Sequence, residues 1–225
     1  MKVLWFSVTP SLFHSYSNSH NGGGWIASLE RIVRQVQEVE LGIAFNFAAE
    51  GFVYEQDGVK YYPISHESLE TYKQIIDDFK PDLIQIFGSE NDFGRICDTT
   101  EVPVVIHMQG CLPPYHNALL PVGMSKTDFI LQKGLSLRYR YIGLRSESAF
   151  RKHAKRELQT IGKCRYFMGR TDWDHRLIDL FNPSATYFHC EEALRQSFID
   201  GEEVWTGNED GTKRVVSIIS RPWYK

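Results

Sequence analysis

The chain has 225 residues, 42 % hydrophobic and 13 % aromatic, with a formal net charge of -3. That composition suffices for a sizeable core in one α/β domain and argues against general nucleic-acid binding. No 18 apolar residues run together, and the apolar run behind Lys2 is too short for a signal-peptide core, so a protein soluble in the cytoplasm or peripheral to the inner face of the membrane is expected.

The first element is a strand over 3–8, followed by a polar loop that ends in Asn21-Gly22-Gly23-Gly24 and a helix over 25–40. Ile26, Leu29, Ile32, Val33, Val36 and Val39 share one face of that helix, with Glu30, Arg31, Arg34 and Glu38 opposite. A strand, glycine loop and helix in this order present backbone N–H groups and a positive helix end at the C-terminal edge of a sheet, which suits a phosphate. The loop matches neither G-x-G-x-x-G nor Walker A, so a loop without a ligand stays open.

Further strands are expected at 41–48, 83–87, 102–107, 165–168, 186–189 and 214–219. Helices are expected at 67–80, 90–97, 172–181 and over 125–162, the last broken at Gly134 or Gly143. This alternation predicts an α/β fold, a Rossmann-like parallel sheet with helices on both faces. Asp57-Gly58 between two aromatic-rich runs adds a β-hairpin insertion at the sheet edge. A strand at 214–219 with no helix after it reads as the start of a second α/β domain from 213 to 225, the alternative being a last strand of the same sheet.

Cys97, Cys111, Cys164 and Cys190 show no C-x-x-C spacing and are read as reduced thiols, with no metal assigned.

Four loops carry the candidate chemistry. Ser89 and Glu90 follow the strand 83–87; Ser89 suits either a helix cap with Asp92 or a pocket, and Glu90 could accept a substrate hydroxyl. His107 ends a strand and is followed by a loop containing Gln109, so it is the best-placed donor or acid/base group, a structural role remaining open. Arg170 after the strand 165–168 could clamp a phosphate or pair with a local Asp, while Thr171 and Asp174 fit a helix cap. From Lys133 to Arg156 eight Lys or Arg face one acid, Glu147, with Tyr139, Tyr141, Ile142, Leu144 and Phe150 interleaved. An anionic membrane surface would suit this segment, as would plain solvation of a basic helix; single-stranded nucleic acid lacks a stacking platform.

Asn21-Gly-Gly-Gly-Trp25, Pro81-Asp-Leu-Ile-Gln-Ile-Phe-Gly-Ser-Glu90, Val104-Val-Ile-His107, Phe167-Met-Gly-Arg-Thr-Asp-Trp-Asp-His175 and Tyr187-Phe-His-Cys-Glu-Glu-Ala-Leu-Arg195 together resemble the N-terminal half of retaining GT-B glycosyltransferases, in particular family 4. The resemblance implies that 1–212 is the acceptor-binding domain and that 213–225 begins the domain that binds the nucleotide-sugar. It implies transfer of a hexose-type sugar, with retention, to a polysaccharide or glycolipid precursor, a glycan or lipid-linked acceptor, without metal or other cofactor. His107 would contact the transferred sugar, Gly23 and Gly24 would let the backbone approach the donor diphosphate with Gly22 beside them in the substrate-binding set, and Ser89 and Glu90 would border the acceptor pocket. Gln109 and Arg170 complete the candidate substrate-binding set. The family's E-x7-E donor motif is missing, so these 225 residues alone are expected to be inactive. The alternatives are a GT-B-fold sugar-nucleotide epimerase and a non-catalytic Rossmann-like nucleotide-binding module.

Overall fold

The computed structural model describes residues 1–13, 24–48, 51–120, 122–131 and 137–201. Within them eight strands form one sheet: β1 (Lys2–Ser7), β2 (Glu40–Asn46), β3 (Tyr54–Gln56), β4 (Val59–Ile64), β5 (Leu83–Phe87), β6 (Val104–His107), β7 (Tyr166–Gly169) and β8 (Thr186–His189). The helices are α1 (Gly24–Val33), α2 (Leu69–Phe79), α3 (Leu112–Asn117), α4 (Lys126–Leu131), α5 (Leu137–Ile161), α6 (Asp172–Phe181) and α7 (Gln196–Ile199), with a 3₁₀ helix at Asp92–Asp98.

Continuous apolar runs make the inner strands bury both faces, the pattern of a parallel sheet covered on two sides. Leu4, Phe6, Ile84 and Ile86 pack towards α2, the 3₁₀ helix and α6, while Val3, Trp5, Ile43 and Phe45 pack towards Ile26 of α1. The strand order is β3-β4-β2-β1-β5-β6-β7-β8, parallel throughout except for the β3–β4 hairpin. From β1 the chain moves outward through β2 to β4, then returns across α2 to β5 on the other side of β1 and continues to β8. The winding therefore reverses between β1 and β5, and this reversal places a crevice beyond the C-terminal ends of those strands.

The expected α/β sheet with helices on both faces and an edge hairpin is present, with Asp57 and Gly58 at positive φ in the turn. Several expectations need correction. The first helix stops at Val33 rather than 40, and its polar face is misplaced. Glu30 is fully buried, accepting hydrogen bonds from Tyr61 Oη and, at 3.1 Å, from the Leu12 amide, and pairing with Arg34, whereas Ile32 is half exposed. A carboxylate one turn after Ile26 lies on the buried side, and this network holds it there. The segment 90–97 forms a 3₁₀ helix shifted to 92–98. Its close packing accounts for Gly94: a Cβ there would collide with Thr160 on α5. Gly143 lies inside α5 and does not break it, while Gly134 is outside the described residues. Residues 213–225, including the strand expected at 214–219, are outside them too.

The cysteine reading is also corrected. Cys97, near the end of the 3₁₀ helix, and Cys164, before β7, have Cα atoms 5.4 Å apart and form a disulfide. Cys111 and Cys190 are free thiols, and burial next to Glu157 pushes the Cys111 thiol up to about 12.

Candidate functional site

Parallel strands end at a common edge, so the segments that follow β1, β5, β6 and β7 meet there. Gly24 opens α1 with φ 62°, a left-handed conformation that a side chain would strain. Gly22 and Gly23 lie outside the described residues. Trp25, the next residue, sets its indole 4.9 Å from the His107 ring and 5.4 Å from Phe87, centroid to centroid. The start of α1 and the end of β6 thus stand side by side.

His107 is 1 % exposed and stacks on Phe87 at 5.9 Å. The Gln85 amide nitrogen lies 3.4 Å from its Nδ1 and donates to it, which leaves the imidazole proton on Nε2. Nε2 is buried and makes no hydrogen bond of good geometry among the described residues, although the Cys190 backbone lies near enough to act weakly on the ring as an acceptor. Burial and the nearby Arg170 charge pull the imidazole down to about 4, against the opposing pull of Asp174 and the Cys190 backbone. His107 is therefore neutral at pH 7. A neutral imidazole fixed in this way can act as an N–H donor rather than as an acid titrating near neutrality.

Two more buried polar atoms at this edge lack partners among the described residues: Gln109 Nε2 and Glu90 Oε2. Glu90 itself is held by its backbone, since Arg156 donates to its carbonyl at 2.6 Å and also pairs with Asp92 at 2.7 Å. Leaving a buried donor or acceptor unmatched costs about 1–3 kcal/mol each. His107, Gln109 and Glu90 contribute three of the eight such atoms among the described residues and are candidates to contact a polar ligand.

Gly88 explains how Glu90 reaches this position. Its φ is 87°, and a Cβ on it would meet Glu90 Oε2 at 2.7 Å. Gly88→Ala is expected to destabilise the fold by about 1–2 kcal/mol through left-handed strain and to displace the Glu90 carboxylate. Urea denaturation and a crystal structure of the variant check the two effects.

Ser89 does not cap the following helix; the N-cap is Asn91. Ser89 is buried, and its hydroxyl donates to Glu157 Oε1 on α5. Glu157 was not singled out in the sequence. Fully buried, it also accepts from the Leu112 amide at 2.6 Å, so one carboxylate joins the loop after β5 to the start of α3. Burial raises its pKa, and the Ser89 and Leu112 hydrogen bonds oppose that rise. Arg170 pairs with Glu192 beyond β8 rather than with a local Asp, which leaves its guanidinium already engaged by a carboxylate. Thr171 and Asp174 form the expected capping box at the start of α6.

The sequence-derived set is thus divided. Gly24, Glu90, His107 and Gln109 lie on segments leaving the shared edge, Ser89 supports them from within, and Arg170 acts on His107 through its charge. Among the described residues no three His, Cys, Asp or Glu side chains converge to hold a metal ion.

The architecture is that of a Rossmann-like α/β domain, the half-unit of a GT-B fold. A sucrose-phosphate synthase from Thermosynechococcus elongatus is similar in structure, with a TM-score of 0.51 over 84 % of this chain at 7 % sequence identity. The match covers 47 % of that enzyme, so this chain spans about half its length. No protein-family model matches the sequence, and no curated protein matches it.

Proposed function

We propose that this chain is the acceptor-side domain of a retaining, family 4-like glycosyltransferase. It would act with a nucleotide-sugar-binding domain to transfer a hexose-type sugar to a glycan or lipid-linked acceptor in cell-surface polysaccharide synthesis at the cytoplasmic side of the membrane. The carrying observation is the unpartnered, buried Nε2–H of a neutral His107 at the crevice where the winding reverses, beside the first residues of α1. In this reading that N–H donates to a hydroxyl of the transferred sugar, and the unpaired end of α1 faces the departing diphosphate across the cleft. Glu90 Oε2 and Gln109 Nε2 receive and donate hydrogen bonds to acceptor hydroxyls. Retention through an oxocarbenium-like transition state needs positioning and stabilisation of the leaving group, which fixed donors supply without a carboxylate pair or a metal.

The test is turnover against UDP-, GDP- and ADP-sugars with and without membrane extract, for the 225-residue chain and for the chain joined to a second, nucleotide-sugar-binding domain. Transfer or slow donor hydrolysis is expected only from the longer protein, and His107→Ala in it should lower kcat about 100-fold, far more than the cavity left at this buried position lowers the fraction folded under the assay conditions. Tight nucleotide binding by the 225 residues alone, without turnover by the longer protein, would instead identify a binding module. Conversion of a nucleotide-sugar with no acceptor present would identify an epimerase.

A further inference from the structure

The cavity between α3, α4 and α5 lies away from the crevice and has a volume of about 250 Å³. Leu119, Leu120, Phe129, Ile130 and Leu144 line it. Its one carboxylate, Glu147, is engaged by Lys126 at 2.9 Å and by His116 at 3.6 Å.

Leu144 also belongs to the outer face of α5. At about 100° per residue, Leu137, Tyr141, Leu144, Arg145, Lys152 and Lys155 fall within an arc of about 100°, and all six are exposed. Arg138 and Arg151 flank that arc, and neither they nor its three cations have an acidic partner within 4 Å among the described residues. The two acids of α5 are turned to other work, Glu147 at the cavity and Glu157 against Ser89. Val122 and Leu131 on the adjoining turn and helix are exposed as well. No described helix is long and apolar enough to cross a membrane.

We propose that the outer face of α5, together with the cavity beside it, docks on the surface of an anionic lipid bilayer. Cations from Arg138 to Lys155, along about 26 Å of helix, match a negative headgroup layer, and the interspersed leucines and tyrosine reach the boundary where acyl chains begin. The helix lies in the interface plane, and the cavity takes the end of a lipid chain. A site for nucleic acid would need the cations but not the exposed leucines. This inference is independent of the reaction assigned to the crevice, because no residue is shared.

The experiment is co-sedimentation of the full 225-residue chain with vesicles of phosphatidylcholine alone and of phosphatidylcholine with phosphatidylglycerol. Binding is expected only to the anionic vesicles, falling as salt rises. Each cation near the surface is worth about 5-fold in affinity, so Arg145→Glu with Lys152→Glu should weaken binding at least about 25-fold. Leu137→Ser with Leu144→Ser should also weaken it, which a purely ionic attachment would not show. These side chains are exposed, and circular dichroism of each variant together with the salt dependence of the unaltered chain keeps the result independent of misfolding. Absence of binding to anionic vesicles, equal binding to both kinds, indifference to the leucine substitutions, or tighter binding to a single-stranded oligonucleotide would each overturn the proposal.

Discussion

Acidification from pH 7 to pH 4 is expected to remove roughly 3 kcal/mol of folding stability through His107 alone. The imidazole has an ordinary value of 6.5 and stands at about 4 in the folded chain because it is buried and faces Arg170. At pH 7 both folded and unfolded states carry it neutral, so it makes no pH-dependent contribution there. Below 6.5 the unfolded chain binds a proton that the folded chain refuses, and stability falls as pH falls until the folded pKa is reached. Glu157 works the other way. Its folded pKa is raised, so the stability associated with its protonation is present at low pH and is lost as pH rises through the folded value. The histidine share is therefore read as a difference: urea unfolding of the wild type and of His107→Leu at pH 7, 5.5 and 4.5, with the variant losing less stability on acidification. An NMR titration of the imidazole gives the midpoint directly, and a value of 6 or above would remove the argument for a neutral donor at the crevice.

The same residue shows which parts of the site could be read in advance. Valines, an isoleucine and a terminal histidine announce a parallel strand that ends at the ligand edge, and the structure puts His107 there. What the sequence cannot supply is the company of that imidazole. Trp25 and Gln85 come from elements 82 and 22 positions away, and together they decide its packing and its tautomer. Ser89 illustrates a local rule losing to a distant partner: the spacing to Asp92 suits a capping box, but a buried carboxylate 68 residues later takes the hydroxyl. A signal for Glu157 did exist. Phe150, Ala154 and Ile161 stand at helical spacing around it, which places an acid among residues of the inward side of α5. Glu30 carries the same signal on α1, one turn from Ile26, where helical register outweighs the usual outward preference of a charge. The cysteines failed for a different reason, since pairing across 67 residues depends on where two helix ends arrive and leaves no local spacing to recognise.

Breaking the Cys97–Cys164 link is expected to cost about 4 kcal/mol, the loop-closure value for its 67-residue separation. The bridge ties the end of the 3₁₀ helix to Cys164, two residues before β7, at the edge of the sheet opposite the crevice. Without it the unfolded chain gains freedom, while the folded chain keeps both cysteines within the same apolar cluster. The loss should thus appear as an equilibrium shift with little change in the native fold. In a domain of this size it corresponds to a fall of about 10 °C in Tm, measurable by calorimetry with and without dithiothreitol. Cys97→Ser with Cys164→Ala should reproduce the effect of the reductant and abolish any further response to it. If the reductant and the double substitution both leave Tm unchanged, the two sulfurs are unlinked thiols in solution, as they would be in a reducing compartment. The crevice at the far edge should keep its geometry in either state. Ligand binding measured below the lowered Tm is then expected to be insensitive to dithiothreitol, which separates the stabilising role of the bridge from the chemistry of His107.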